Sequence, residues 1–161
     1  MKNSIMVSGI TIFVIVLDQL TKIIVDSTIE FNHGVVKVLP FFNLINIRNK
    51  GAAFGLFAGI GNIFFYIVSL IAVSILIAYL TKIDSKVERV SLSMILGGAI
   101  GNLIDRAVRG SVVDFLDFFL PGCNEIWCHW PAFNFADAAL SVGIAIYLVA
   151  TVKDTFSKKK A

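Results

Sequence analysis

Charge is what this chain has least of. Only 16% of its 161 residues are charged, where a soluble domain usually carries about a quarter. The charges that exist stand between apolar blocks instead of among them. With 57% hydrophobic residues and a mean hydropathy of +0.85, the composition excludes an ordinary soluble globule and indicates one compact membrane domain spanning 1–161. Cysteine is nearly absent: Cys123 and Cys128 are the only two, a pair for which a disulfide is feasible in an oxidising compartment. Histidine is equally sparse. Neither His33 nor His129 lies in an H-E-x-x-H helix, which argues against a zinc protease. No Ser or Cys stands in a recognisable nucleophile–base set.

What is present is four apolar blocks, at about 4–25, 61–80, 90–108 and 133–152. Each approaches the ~20 residues a helix needs to cross ~30 Å of hydrocarbon. The third is short, about Val90 to Ile104, unless it continues past Asp105 and Arg106. The fold class expected is therefore an all-α membrane protein of four transmembrane helices, with a small extracytoplasmic β-sheet element. The net charge of +3 is gathered in short flanks: Lys2, the connector "TKIDSKVER" with Lys82, Lys86 and Arg89, and a tail with Lys153, Lys158, Lys159 and Lys160. An even number of spans puts these flanks on one side. The positive-inside bias makes that side the cytoplasm, with both termini in it. Nucleic-acid binding is the poorer explanation of the basic pI. Lys2 before an apolar run also suits a cleaved signal peptide, but no small-residue cleavage site follows, so the first block reads as a retained helix.

The outer segments are then about 26–60 and 109–132. In the first, "VVKVLPFFNLINIRN" is rich in Val, Ile and Phe and predicts short strands resting on the membrane surface, with Pro40 at a break or edge. "GAAFGLFAGIG" is too rich in glycine for a helix and too apolar for a free loop, which places it in the interface. "GGAIG" at 97–101 has the spacing of close helix packing. Trp127 and Trp130 suit an interfacial belt.

The acidic residues inside the spans carry the functional signal. Lys2 to Asp18, Arg89 to Asp105 and Asp137 to Lys153 are each sixteen positions, or ~24 Å of helix. All three carboxylates therefore lie in one layer, a few Å below the outer boundary. Asp18 and Lys22 stand at i, i+4 and can neutralise each other, and Arg106 is long enough to reach a carboxylate on another helix. Asp137 has no basic residue within reach on its own span, only Asn134 three positions earlier. An unpaired acid at that depth is a functional candidate. "GSVVDFLDFFL" offers a companion in Asp114 or Asp117, and spacing does not decide between them. Two carboxylates brought together share one proton, one serving as base and the other as acid. Such a pair can activate water against an amide without metal or covalent intermediate.

Five ordered blocks, "DQLTK", "NKGAAFG", "GNLIDR", "VVDFLD" and "FNFADAALSVG", resemble those of the lipoprotein signal peptidases, the type II bacterial signal peptidases. The resemblance implies a membrane aspartic endopeptidase that removes signal peptides from diacylglyceryl-modified prolipoproteins, cutting before the lipid-modified cysteine. It implies Asp114 and Asp137 as the catalytic pair, with Asp18, Lys22, Asn49, Gly51, Asn102, Asp105, Arg106 and Asn134 in binding or supporting roles. It also implies no metal or organic cofactor, prolipoprotein and membrane-lipid partners, inhibition by globomycin and a place in the bacterial inner membrane. The stretch "PGCNEIWCHW" is outside the family pattern. The rival readings of buried acids are a small proton-coupled transporter or channel component, and a non-catalytic scaffold. Transporters often carry an internal repeat, and the two halves here do not resemble each other.

Overall fold

The structure, a computed structural model, describes residues 2–51, 61–122 and 128–158. The glycine-rich stretch 52–60, Cys123 and Trp127 lie outside the described residues. The structure has four long helices, α1 (Lys2–Thr28), α2 (Gly61–Leu80), α3 (Lys86–Val108) and α4 (Phe135–Lys158). Of these, α3 is the centre, packed by the other three. Half of its most apolar window is buried inside the protein, against 6% for α2. All four are long and apolar enough to cross a membrane.

The helix ends follow from caps more than from hydropathy. Ser85 caps α3 by accepting from the Glu88 N–H, so α3 begins four residues earlier than its apolar block and takes Lys86, Glu88 and Arg89 into its first turn. At the other end α3 runs through Asp105 and Arg106 to Val108, as a full-length span requires. Gly110, at φ +71°, then turns the chain outward. Asn134 caps α4 by accepting from the Asp137 N–H at 2.9 Å.

The expected strands are present as a hairpin, β1 (Val35–Leu39) and β2 (Phe42–Asn49), with Pro40 in its turn. A third strand, β3 (Val112–Phe118), comes from the second outer segment and pairs antiparallel with β2. It puts Asp114 opposite Ile47 and Asp117 opposite Asn43. Two apolar cores result. Val25, Ile29, Val113 and Phe115 pack the sheet onto the end of α1, while Ile83, Leu92 and Ile95 join α3 to α2 and α4 near the other membrane face. The polar layer lies between them.

Close helix approach at that layer depends on glycine. A Cβ on Gly97 would stand 2.7 Å from the Val14 side chain of α1, and one on Gly101 would stand 2.6 Å from Asp18 Oδ2. On Gly98 it would overlap the Ala136 carbonyl oxygen of α4. The "GGAIG" run thus serves two partner helices, which is the packing role its spacing suggests. Gly98→Ala should lower the thermal unfolding midpoint in detergent, by the equivalent of about 1–3 kcal/mol, the usual cost of overpacking. Gly9→Ala, where nothing lies within 4 Å, should leave the midpoint unchanged or slightly raised.

Candidate active site

Two of the helices that meet in the polar layer, α1 and α3, converge on one cation. The Lys22 ammonium lies 2.9 Å from Asp18 Oδ2, 2.8 Å from Asp105 Oδ2 and 3.1 Å from Asn102 Oδ1. That is one acceptor for each of its three N–H groups. Lys22, Asp18 and Asp105 are all fully buried. The i, i+4 pair read from the sequence exists, and it extends across to α3. Asp18 uses its other oxygen to accept from the Ala136 N–H at 3.0 Å, fastening the first turn of α4 to α1. Asp105 accepts from the Val113 N–H at 3.1 Å, fastening the start of β3. Its neutralising partners are Lys22 and Arg109, one turn further along α3. Gln19 completes the shell, donating to Asp18 and Asp105 and accepting from Arg109.

The cation also orients the amides. Asn102 turns its oxygen to Lys22, so its Nδ2 faces the other way and donates to Asp137 Oδ1 at 2.7 Å. Asn134 works in two directions. As N-cap it accepts from the Asp137 N–H, and its own N–H donates back to Asp137 Oδ2 at 3.3 Å, a reciprocal cap. Its Nδ2 donates to Asp114 Oδ1 at 2.8 Å. One asparagine therefore binds both Asp114 and Asp137.

Asp114 Oδ2 accepts from Asn49 Nδ2 at 3.0 Å, and the Gly51 N–H fixes the Asn49 amide by donating to its oxygen at 2.8 Å. Gly51 has φ +100°, and a Cβ there would run into the Phe65 ring. Only glycine satisfies both conditions. Asp117 stands three positions from Asp114, so on a strand it points to the opposite face. There it accepts from Asn43 Nδ2 at 3.1 Å and pairs with His129 Nδ1 at 2.7 Å. Strand geometry thus turns Asp114, and not Asp117, towards Asn134.

The two carboxylates differ in setting. Asp114 is buried, Asp137 half-buried. Burial first, and then the negative charge of Asp137, raise the Asp114 pKa to about 7, while hydrogen bonds from Asn49 and Asn134 pull the other way. Arg106 donates to the Asn102 carbonyl at 3.3 Å, and Asp137 and Asp114 are the foremost charges acting on its guanidinium. Among the described residues no three His, Cys, Asp or Glu side chains converge as metal ligands.

Arg109 and Gln19 were not singled out from the sequence. Arg109 had a legible signal, the i, i+4 spacing from Asp105. Gln19 had none beyond its place beside Asp18, because its partners lie on α3. Lys22→Met should destabilise the protein by about 3–5 kcal/mol, since it leaves two buried carboxylates with one cation fewer. Adding Asp105→Asn to Lys22→Met should restore part of that loss. Thermal unfolding of the single and double variants in detergent checks both, and purely additive losses would contradict the shared cation.

A family model described as "Signal peptidase (SPase) II" matches residues 10–153. The chain is 40% identical over 147 residues to a lipoprotein signal peptidase of Thermodesulfovibrio yellowstonii, covering 91% of this chain and 95% of that one. It is 44% identical over 145 residues to one of Burkholderia mallei, covering 87% and 83%. A solved structure of a bacterial membrane enzyme superposes with a TM-score of 0.82 at 35% identity, covering 96% of this chain and 92% of that one. With four membrane-spanning helices, a three-stranded sheet and a match over nearly its whole length, the chain belongs to the signal peptidase II family.

Proposed function

We propose that this chain is a single-domain, multi-pass aspartic endopeptidase of the bacterial inner membrane. It removes signal peptides from prolipoproteins, cutting before a cysteine that carries diacylglycerol, with Asp114 and Asp137 as its catalytic pair. The observation that carries the assignment is that one asparagine, Asn134, binds both carboxylates, while Asp114 is pushed to about 7. Near neutral pH such a pair holds one proton between two acids.

The division of labour follows from the settings. Asp137 accepts from Asn102 and Asn134 in the first turn of α4 and is the base: it takes a proton from a water. The hydroxide so formed attacks the scissile carbonyl carbon. Asp114, protonated, gives its proton to the carbonyl oxygen, so the tetrahedral intermediate is a neutral diol. Collapse returns a proton to Asp114 from that diol and moves the proton on Asp137 to the leaving amine. Asn49, Asn102 and Asn134 orient the carboxyls, and Asp18, Lys22 and Asp105 hold the elements that carry them. Arg106 adds positive charge beside the pair.

The depth of the dyad supports a lipid-modified substrate, whose acyl chains hold the cleavage site near the outer boundary. The clustered lysines and arginines support a cytoplasmic location for both termini. Membrane lipids are constant partners, and globomycin is expected to compete for the dyad. The proton-coupled transporter finds no support, since the relatives named above are peptidases.

Asp114→Asn and Asp137→Asn should each lower kcat/KM for a diacylglyceryl prolipoprotein on the order of 10³-fold or more. The double variant should be hardly worse, as for groups acting as a unit. Rates normalised to folded protein decide it, and substantial activity in either single variant would refute the dyad.

The pH profile tests the assignment of acid and base. Asp114 holds its proton below about 7, so activity should fall as pH rises through that region, a limb that belongs to the coupled pair. The Asn49 hydrogen bond favours the ionised form. Asn49→Ala should therefore shift the alkaline limb to higher pH, and an unmoved limb would contradict Asp114 as the titrating acid.

A further inference from the structure

The mechanism leaves one ion cluster unused, where the ends of α1, α3 and β2 meet beside the polar layer. Asp26 stands in the last turn of α1, the end at which the helix dipole disfavours a carboxylate. Its compensation comes from other elements. Arg48, near the end of β2, brings Nη2 within 2.8 Å of Asp26 Oδ1, and Arg109, which follows α3, brings Nε within 3.6 Å of Asp26 Oδ2. The three side chains are 19–26% exposed, so the cluster is largely shielded. Both arginines have second attachments. The Arg48 guanidinium lies over the Phe31 ring, 5.6 Å from its centroid. Arg109 pairs with Asp105 and donates to Gln19, and through it Asp26 is tied to the Lys22 layer.

We propose that Asp26 and Arg48 are positioning residues for the cleavage reaction: their ion pair fixes the end of β2 so that the next residue, Asn49, keeps its amide on Asp114. This deepens the catalytic reading above and rests on Asp114 as the protonated member of the pair. Successive side chains on a strand face opposite ways. Arg48 faces the end of α1, while Asn49 faces Asp114 and donates to its Oδ2 at 3.0 Å. The ladder by itself holds this end weakly. Asn49 is the last residue of β2, and the single rung it makes with Val112 is all that lies beyond Arg48. Further back the register shifts between Leu44 and Ile47, which interrupts the ladder again. Side chains make up the difference. Asn46 donates to the Ile29 carbonyl at 2.9 Å and its own carbonyl accepts from the Asn32 N–H, which ties β2 to the exit from α1. The Asp26–Arg48 pair is the next fastening along the strand, one residue from the amide that binds Asp114. The charges acting most on Asp114 are Asp137 of α4 and Lys22 of α1, with Arg106 of α3 facing both acids. Asp26 and Arg48 work on Asp114 through Asn49 and not by contact.

The test reads cleavage of a diacylglyceryl prolipoprotein against pH, with thermal midpoints measured alongside. Asp26→Asn loosens Asn49, whose hydrogen bond favours ionised Asp114. The alkaline limb should therefore move up by about half a pH unit, and kcat below the limb should fall about threefold with KM unchanged, the scale of one weakened hydrogen bond. Charge alone gives the opposite sign, because removing a negative group favours ionised Asp114 and moves the limb down. A merely structural role would lower the midpoint and leave the limb of the folded protein in place. A limb that stays or moves down overturns the proposal. In the Asn49→Ala background the amide is gone, so Asp26→Asn should add no further upward shift, and an equal shift there overturns the proposal as well. If Asp26→Asn does not fold, Arg48→Lys keeps the charge, loses the planar fork and is read by the same limb. Asn49→Ala alone separates the two levels. If it leaves the limb unmoved, the catalytic reading fails and the positioning role with it. If it moves the limb while Asp26→Asn does not, only the positioning role fails.

Discussion

A lysine ammonium with no access to water must have every N–H matched by an acceptor, and that requirement at Lys22 organises the rest of the molecule. Its three acceptors come from α1 and α3. Each of those acceptors has a second task elsewhere. Asp18 holds α4, Asp105 holds β3 and Asn102 holds Asp137. Remove the cation and Asp18 is stranded, Asp105 is left with Arg109 alone, and an amide loses its orientation. The polar layer is therefore one unit, closed above and below by separate apolar cores.

Two carboxylates can be told apart only if their surroundings differ, and here the difference originates in secondary structure. Asp137 lies at a helix start, where backbone N–H groups are unpaired and a half-open position faces outward. Asp114 lies on a strand pressed between β2 and the polar layer, with little room for water. The glycines at 97, 98 and 101 let α1, α3 and α4 come close enough for short amide side chains to bridge them. Larger residues at those positions would leave gaps that asparagine cannot span.

Much of this arrangement was legible in the chain. Helical rise and sixteen-residue spacing placed Asp18, Asp105 and Asp137 in one layer, and the hydrogen bonds from Lys22 and Ala136 show the three sites adjoining. Pro40 marked a break, which the structure makes the hairpin turn, and the β-branched Val112 and Val113 suit the extended backbone ahead of Asp114. The helix starts were less legible, because Ser85 and Asn134 set them through side-chain caps and not through hydropathy. Cross-helix partners were not legible at all. Nothing local to Lys22 points to Asp105, and nothing local to Asn49 points to Asp114. Such pairings depend on how helices and strands rotate against one another, which a linear pattern does not record.

The i, i+4 pairs also bear on how the protein is made. Asp18 with Lys22, and Asp105 with Arg109, are each contained within one turn of their own helix. As α1 and then α3 enter lipid, the acid of each has a basic partner one turn away, which lowers the cost of carrying it there. Only on assembly does Lys22 take Asp105 as a second partner. The second partner that Lys22 gains gives α1 and α3 a reason to stay together.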